Sequence, residues 1–85
     1  MPNDPSIMDT LGLVYYKKGL YDNAIGEFND SIAKLPDNAT IRYHLGLAYY
    51  KKGENEKARA ALEKALSLDG PFDGAAEARR ILEEL

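Results

Sequence analysis

The sequence predicts an all-α protein of five helices, arranged as a solenoid of stacked helix-turn-helix repeats. The segment at 11–19 returns at 45–53, so that position i corresponds to position i+34, and eight of the nine positions are identical. Apolar residues recur at the spacing of a helical face, and no segment alternates polar and apolar residues as a half-buried strand would. Because a fixed period of about 20–50 residues is the signature of stacked repeats, this repetition decides the fold class.

The first helix is predicted over residues 5–18. Asp4 is a suitable N-cap, and Pro5 fits the first helical position, where a backbone N–H has no partner in any case. Gly19 tolerates the left-handed backbone that commonly ends a helix. The apolar residues follow one helical face and are Ile7, Met8, Leu11, Val14 and Tyr15.

The second helix is predicted to open at Asp22 and to stop at Pro36. Its apolar residues are Ala24, Ile25, Phe28, Ile32 and Leu35. Gly26 inside this helix costs about 1 kcal/mol relative to alanine, so packing or tolerance must offset it. Asn38 is predicted to cap the third helix and Gly53 to terminate it. The inward residues of the third helix are Ile41, Leu45, Ala48 and Tyr49.

The fourth helix is predicted to begin at Asn55 or Glu56 and to break at Asp69-Gly70-Pro71. Its inward residues are Ala58, Ala61, Leu62, Ala65, Leu66 and Leu68. Asp73 is predicted to cap a fifth helix that runs to Leu85. The fifth helix has a stripe of Ala75, Ala78, Leu82 and Leu85, with Ile81 beside it, and a charged face of Glu77, Arg79, Arg80, Glu83 and Glu84. One apolar stripe with a charged opposite face is typical of the cap that ends a repeat array.

Two motifs in the same repeat register carry a family resemblance. They are Leu11-Gly12-x-x-Tyr15 with Ala24, Phe28 and Pro36, and Leu45-Gly46-x-x-Tyr49 with Ala58, Leu62 and Gly70. Both resemble the tetratricopeptide repeat. The departures from the family pattern are Met8 and Arg42 in place of tryptophan, Gly70 in place of the closing proline, and Ser31 in place of alanine. We expect these departures to weaken packing locally without changing the fold.

The resemblance implies a single domain, residues 1–85, made of repeat one at 5–38, repeat two at 39–72 and a capping helix at 73–85. By the symmetry of the repeats, Ile41 packs against the helix before it, so Ile7 should need a preceding helix as well. Pro2 stands exactly one repeat period before Pro36, so residues 1–4 resemble the end of an earlier repeat. We therefore expect this chain to be the C-terminal end of a longer array.

Composition excludes several classes of protein. The formal net charge of −3 provides no basic surface for nucleic acid, and the chain has no cysteine for disulfides, thiol catalysis or zinc. No apolar run approaches the roughly 18 residues of a membrane span, and the N-terminus has no secretory apolar segment. These observations favour a soluble, cytoplasmic protein without membrane insertion, and they leave the compartment open.

The resemblance also implies a concave groove that binds a peptide or a partner helix and is lined by the first helix of each repeat. The groove positions are Ser6, Asp9, Leu13, Tyr16 and Lys17 in repeat one, and Thr40, Tyr43, Leu47, Tyr50 and Lys51 in repeat two. Tyrosine offers a large amphipathic contact area, and lysine favours acidic partners. The alternative is that the tyrosines and leucines pack one repeat on the next while Lys17 and Lys51 are merely solvated.

Other candidate sites have less support. Some family members hold a C-terminal carboxylate in a lysine–asparagine–arginine clamp, but the matching positions here are Asp9, Leu13, His44, Gly74 and Ala78. We therefore expect no docking of heat-shock chaperone tails. The single histidine, His44, is predicted to be a surface or partly packed residue, since it has no carboxylate three or four residues away. No catalytic serine constellation or phosphate-binding loop is recognisable, so we predict no enzyme activity, metal or cofactor.

Three functional hypotheses remain. The first is a non-catalytic interaction module that holds a segment of another protein in its groove. In the second, an N-terminal edge formed by Ile7, Leu11 and Val14 mediates stacking in a longer array or forms a homodimer. The third is that the segment is an accessory part of a larger enzyme or export machine.

Overall fold

The computed structural model describes residues 4–68 and 71–85, and within them the chain forms five helices and no strand. The helices are α1 (Pro5–Lys17), α2 (Tyr21–Lys34), α3 (Ala39–Lys52), α4 (Asn55–Ser67) and α5 (Ala75–Glu84). The predicted all-α repeat fold is therefore confirmed. The break expected at Asp69-Gly70 and the tail expected over 1–3 lie outside the described residues.

Local chemistry sets four of the helix ends. The Asp4 carboxylate accepts a hydrogen bond of 2.8 Å from the Ser6 amide, and the Asn38 side chain accepts one of 3.0 Å from the Ile41 amide. Gly19 and Gly53 have φ angles of 79° and 89°, the left-handed region that favours glycine. These caps and terminators were all predicted from the sequence, and they are confirmed.

The fifth helix differs from its prediction. It begins at Ala75 after Gly74, and no side chain caps it, so the predicted Asp73 cap is wrong. A Cβ at Gly74 would overlap the Tyr43 ring, so contact with α3 places this turn. Ile81 was expected beside the apolar stripe but is only 1% exposed and packs with Leu62 of α4. Tertiary packing therefore sets both the start and the rotation of α5.

Each repeat is a helical hairpin whose two helices approach each other closely at a glycine. In the first hairpin, a Cβ on Gly12 of α1 would lie within 3 Å of ring carbons of Phe28 on α2. In the second, a Cβ on Gly46 of α3 would lie 2.5 Å from Leu62 Cδ2 on α4. Phe28 and Leu62 are fully buried. The missing side chains therefore let the second helix approach closely enough to bury its largest apolar residue.

Ser31 is the one buried polar residue among those described, and its hydroxyl is paired. Its Oγ donates a hydrogen bond of 2.8 Å to the carbonyl of Pro5. The contact joins the end of α2 to the start of α1, so the hairpin is antiparallel. Where alanine is usual in the family, this serine therefore adds a tie between the two helices and leaves no unsatisfied group.

The hairpins stack because α2 packs on α3 as well as on α1. One cluster joins both repeats and contains Ala24, Phe28, Ile32, Ile41, Leu45, Ala48 and Ala61. A second cluster joins α4 to α5 through Leu62, Ala78 and Ile81. The core is thus a continuous layer between successive helices, as expected where each repeat contacts only its neighbours.

Two glycines give a matched stability test. Gly12→Ala should lower the free energy of unfolding by about 1–3 kcal/mol, because the new methyl group overlaps the Phe28 ring. Gly26→Ala should raise it by about 0.5–1 kcal/mol, because nothing lies within 4 Å of that position and alanine favours the helix. Urea denaturation followed by circular dichroism measures both changes. Equal effects of the two substitutions would contradict the assignment of Gly12 to a close contact.

Candidate functional site

The groove predicted from the repeats would be lined by α1, α3 and α5, the first helix of each unit. Burial raises the pKa of the Tyr16 phenol on α1, and Tyr21, Tyr43 of α3 and Glu77 of α5 act on it in the same direction. Tyr43 packs on the cluster beneath α5, and the Tyr50 hydroxyl of α3 contacts Glu84 of α5. The surface of α1, α3 and α5 that contains Tyr16, Tyr43 and Glu77 corresponds to the groove that the family resemblance predicts, and we call it the concave face.

The tyrosines of the concave face are half-buried. The Tyr16 ring meets the Tyr21 ring edge-on, with 5.7 Å between ring centroids, and the Tyr43 ring lies 5.7 Å from the Phe72 ring. Burial raises the pKa of the Tyr16 and Tyr43 phenols above the ordinary value for tyrosine. Both rings therefore contact a neighbouring aromatic ring and remain partly exposed.

The repeated leucine and tyrosine pairs contribute to packing between the units. Leu13 and Tyr16 pack against the cluster shared by both repeats. Tyr43, Leu47 and Tyr50 pack against the cluster beneath α5. All five side chains remain partly exposed, whereas Ser6, Lys17, Thr40 and Lys51 are exposed. Packing and solvent access therefore coexist at these positions.

Asp9 is committed to a contact between the repeats. Its Oδ1 lies 2.7 Å from Nδ1 of His44, and the side chains of Asp9 and His44 are 18% and 14% exposed. The pair joins α1 to α3, and the His44 ring lies 5.8 Å from the Tyr43 ring. Sequence reasoning missed this pair, because the two residues are 35 positions apart and no local pattern connects them.

Polar contacts extend the concave face onto α5. The Tyr50 hydroxyl donates a hydrogen bond of 2.7 Å to Glu84, which raises the pKa of Tyr50. Arg80 lies between Glu77 and Glu84, with its Nη2 2.6 Å from Glu77 and its Nη1 2.8 Å from Glu84. The bond from Arg80, together with Lys51 nearby, lowers the pKa of Glu77. The α5 side of the face is therefore an ordered, mixed-charge network.

Glu77 and Glu84 were assigned from the sequence only to the charged back of the capping helix. The repeat register contains the signal that could have placed them here. It relates Asp9 to Tyr43 and Tyr43 to Glu77, and it relates Tyr16 to Tyr50 and Tyr50 to Glu84. Extending the register into α5 therefore makes Glu77 equivalent to Asp9 and Tyr43, and Glu84 equivalent to Tyr16 and Tyr50.

Two further kinds of site can be compared with the structure, a metal site and the carboxylate clamp. Among residues 4–68 and 71–85, no group of three histidine, cysteine or acidic side chains is placed to hold a metal. At the positions of the carboxylate clamp, Asp9 is paired with His44, Ala78 is buried and Gly74 lies under Tyr43. In the described part of the chain, no helix has the length and apolar character of a membrane span.

The decisive comparison is with protein families. The family model described as Tetratricopeptide repeat matches residues 10–76, which run from within the first helix to the start of the fifth. The chain belongs to the tetratricopeptide repeat family. Tetratricopeptide repeats are in general protein-interaction modules that have no catalytic activity of their own. No curated protein matches the chain significantly.

The Asp9–His44 pair should couple the two tetratricopeptide repeats energetically. Asp9→Ala and His44→Ala should each destabilise the fold, and a double-mutant cycle should give a coupling energy of about 1 kcal/mol, because each single variant leaves a half-buried polar partner. Urea denaturation of the four proteins at pH 7 measures this energy. Additivity of the two single effects would show that the contact contributes nothing.

The half-buried tyrosines should destabilise the fold at alkaline pH. A phenol whose pKa is higher in the folded than in the unfolded state contributes stability below pH 10, and this contribution is lost as the pH rises through the folded value. Between pH 9 and pH 11, the melting temperature should therefore fall less for Tyr16→Phe and for Tyr43→Phe than for the natural chain. The same loss in all three proteins would contradict the assignment.

Proposed function

We propose that this chain is a non-catalytic module that binds a segment of another protein, as an extended peptide or a helix, on its concave face. The observation that carries the proposal is the arrangement of three half-buried tyrosines, Tyr16, Tyr43 and Tyr50, beside the exposed Lys17 and Lys51. Large amphipathic rings held in place by neighbours lose little side-chain entropy when a ligand contacts them.

The charges of the concave face favour a peptide with acidic residues. Lys17 and Lys51 occupy equivalent positions in α1 and α3, and both are exposed. On α5, Glu77 and Glu84 hold Arg80 between them, so its charge is already compensated. An acidic segment therefore meets the exposed lysines of α1 and α3, and the glutamates of α5 disfavour its extension in that direction.

A second candidate function is carried by a different observation. One line of apolar residues on α1 is exposed to solvent. Its members are Ile7, Leu11 and Val14, which are 47%, 38% and 43% exposed. Single exposed apolar residues need no explanation, but three in a row on one helix favour contact with another helix. This contact would form either within a longer array or between two copies of the chain.

Selection from a displayed library of 16-residue peptides tests the groove. Binders to the natural chain should be enriched in aspartate and glutamate, and Lys17→Glu/Lys51→Glu should weaken them at least tenfold, because the variant repels acidic side chains. The matched control is Lys34→Glu/Lys64→Glu, which has the same change of charge on exposed residues of α2 and α4.

Tyr50→Phe tests whether the selected peptides contact the tyrosine ring or its hydroxyl. It removes the hydroxyl that binds Glu84 and keeps the ring, so peptides that contact the ring should retain their affinity. Peptides that bind equally well to the natural chain, the groove variant and the control would place binding elsewhere and would overturn the proposal.

A further inference from the structure

The line of three exposed apolar residues on α1 continues to a lysine at its C-terminal end. Lys18 follows Val14 by four residues, so Ile7, Leu11, Val14 and Lys18 form one line along the helix at spacings of four, three and four residues. We call this line the α1 edge. The apolar part of the edge is exposed, and Lys18 is exposed at its C-terminal end.

The chain itself contains a filled version of this edge. The equivalent line on α3, one repeat period later, consists of Ile41, Leu45, Ala48 and Lys52. Its apolar residues are 4%, 7% and 0% exposed, because α3 packs on α2. Lys52 Nζ lies 2.6 Å from Asp22 Oδ1 in the first turn of α2. This edge therefore accepts an antiparallel helix with an apolar stripe and an acid at its N-terminal end.

The pattern that α2 presents to α3 also occurs in α1. On α2, Asp22 is followed by isoleucine after three and after ten residues, at Ile25 and Ile32, and both pack in the cluster that contains Ile41 and Leu45. On α1, Asp4 is followed at the same intervals by Ile7 and Val14. The α1 helix therefore carries both halves of the interaction that joins α2 to α3.

We propose that the α1 edge binds the α1 edge of a second copy of this chain, with the two helices antiparallel about a two-fold axis. Self-complementarity is what such an axis requires, since each surface must fit itself. Leu11 lies at the axis and faces Leu11 of the other copy. Asp4 of each chain then lies opposite Lys18 of the other, in the same pairing as Asp22 with Lys52.

The size and charge of the edge define the kind of dimer. Three part-exposed apolar side chains on each copy form a small interface, below the size of a stable obligate dimer, so association is weak and depends on concentration. The Asp22–Lys52 pair is itself well exposed, with side-chain exposures of 76% and 39%. Ion pairs of this kind contribute direction and register more than affinity.

This inference builds on the second candidate function and does not depend on peptide binding. Tyr16 follows Ile7 by nine residues, which is two and a half turns of an α-helix, so Tyr16 and the α1 edge lie on opposite sides of α1. Lys51→Glu, which changes the concave face on α3 alone, should therefore dimerise as the natural chain does, and Leu11→Glu should still bind groove peptides.

Sedimentation equilibrium of the full chain from 10 µM to 1 mM tests the dimer, and charge variants test its geometry. Lys18→Glu alone should dimerise more weakly than the natural chain, because the introduced carboxylate faces Asp4 of the other copy. Asp4→Lys alone should also dimerise more weakly, because the introduced ammonium group faces Lys18. An equimolar mixture should dimerise more strongly than either variant alone, since both contacts are then attractive. Circular dichroism checks that Asp4→Lys, which loses the helix cap, keeps its helices.

Disulfide trapping tests the register without relying on Asp4. The natural chain has no cysteine, so a single introduced thiol reports one contact. Leu11→Cys should form a dimeric disulfide, because its two copies meet at the axis. Ile7→Cys should not, because four residues from the axis on each chain place the two Cα atoms about 12 Å apart, beyond the roughly 7 Å limit of a disulfide.

Three results would overturn the proposal. The first is a natural chain that is monomeric throughout the concentration range. The second is a dimer that persists unchanged in Lys18→Glu and in Leu11→Glu, which would place the interface elsewhere. The third is a monomer whose α1 edge binds a synthetic peptide of residues 20–36, the α2 sequence, which would identify a separate helix as the occupant.

Discussion

The structure depends on the close approach of two helices at a position without a side chain. At Gly12 and at Gly46, the facing helix brings a fully buried Phe28 or Leu62 into space that a methyl group would fill. This approach buries the apolar surface between the two helices of a hairpin. The second helix also has an apolar outer surface, which another helix must cover. Stacking of α2 on α3, and of α5 on α4, follows from that need.

The features that the sequence predicted correctly have local causes. The caps at Asp4 and Asn38 and the terminators Gly19 and Gly53 act within a few residues, so their chemistry is readable from residue type and position. The repeat period then supplied the arrangement of the helices, because the glycine contact that closes repeat one has a counterpart at the equivalent position of repeat two. The family match over residues 10–76 rests on the same repetition.

The features that sequence reasoning missed depend on contacts between distant residues. The Asp9–His44 pair joins residues 35 positions apart, and the Ser31 hydroxyl finds the Pro5 carbonyl only after the hairpin closes. The start of α5 is set by Tyr43 lying against Gly74, which outweighs the capping tendency of Asp73. The groove positions and the α1 edge remain predictions.

The docking of α5 has a consequence for growth of the assembly. Ala78 and Ile81 cover Leu62, so the apolar surface of α4 is unavailable to another chain. If α5 were removed, a copy would present an α1 edge at one end and an open α4 surface at the other. Two unlike adhesive ends generate head-to-tail filaments that never close, whereas one self-complementary end closes after two copies. If the α1 edge pairs as proposed, the docked fifth helix therefore favours closed pairs over open filaments.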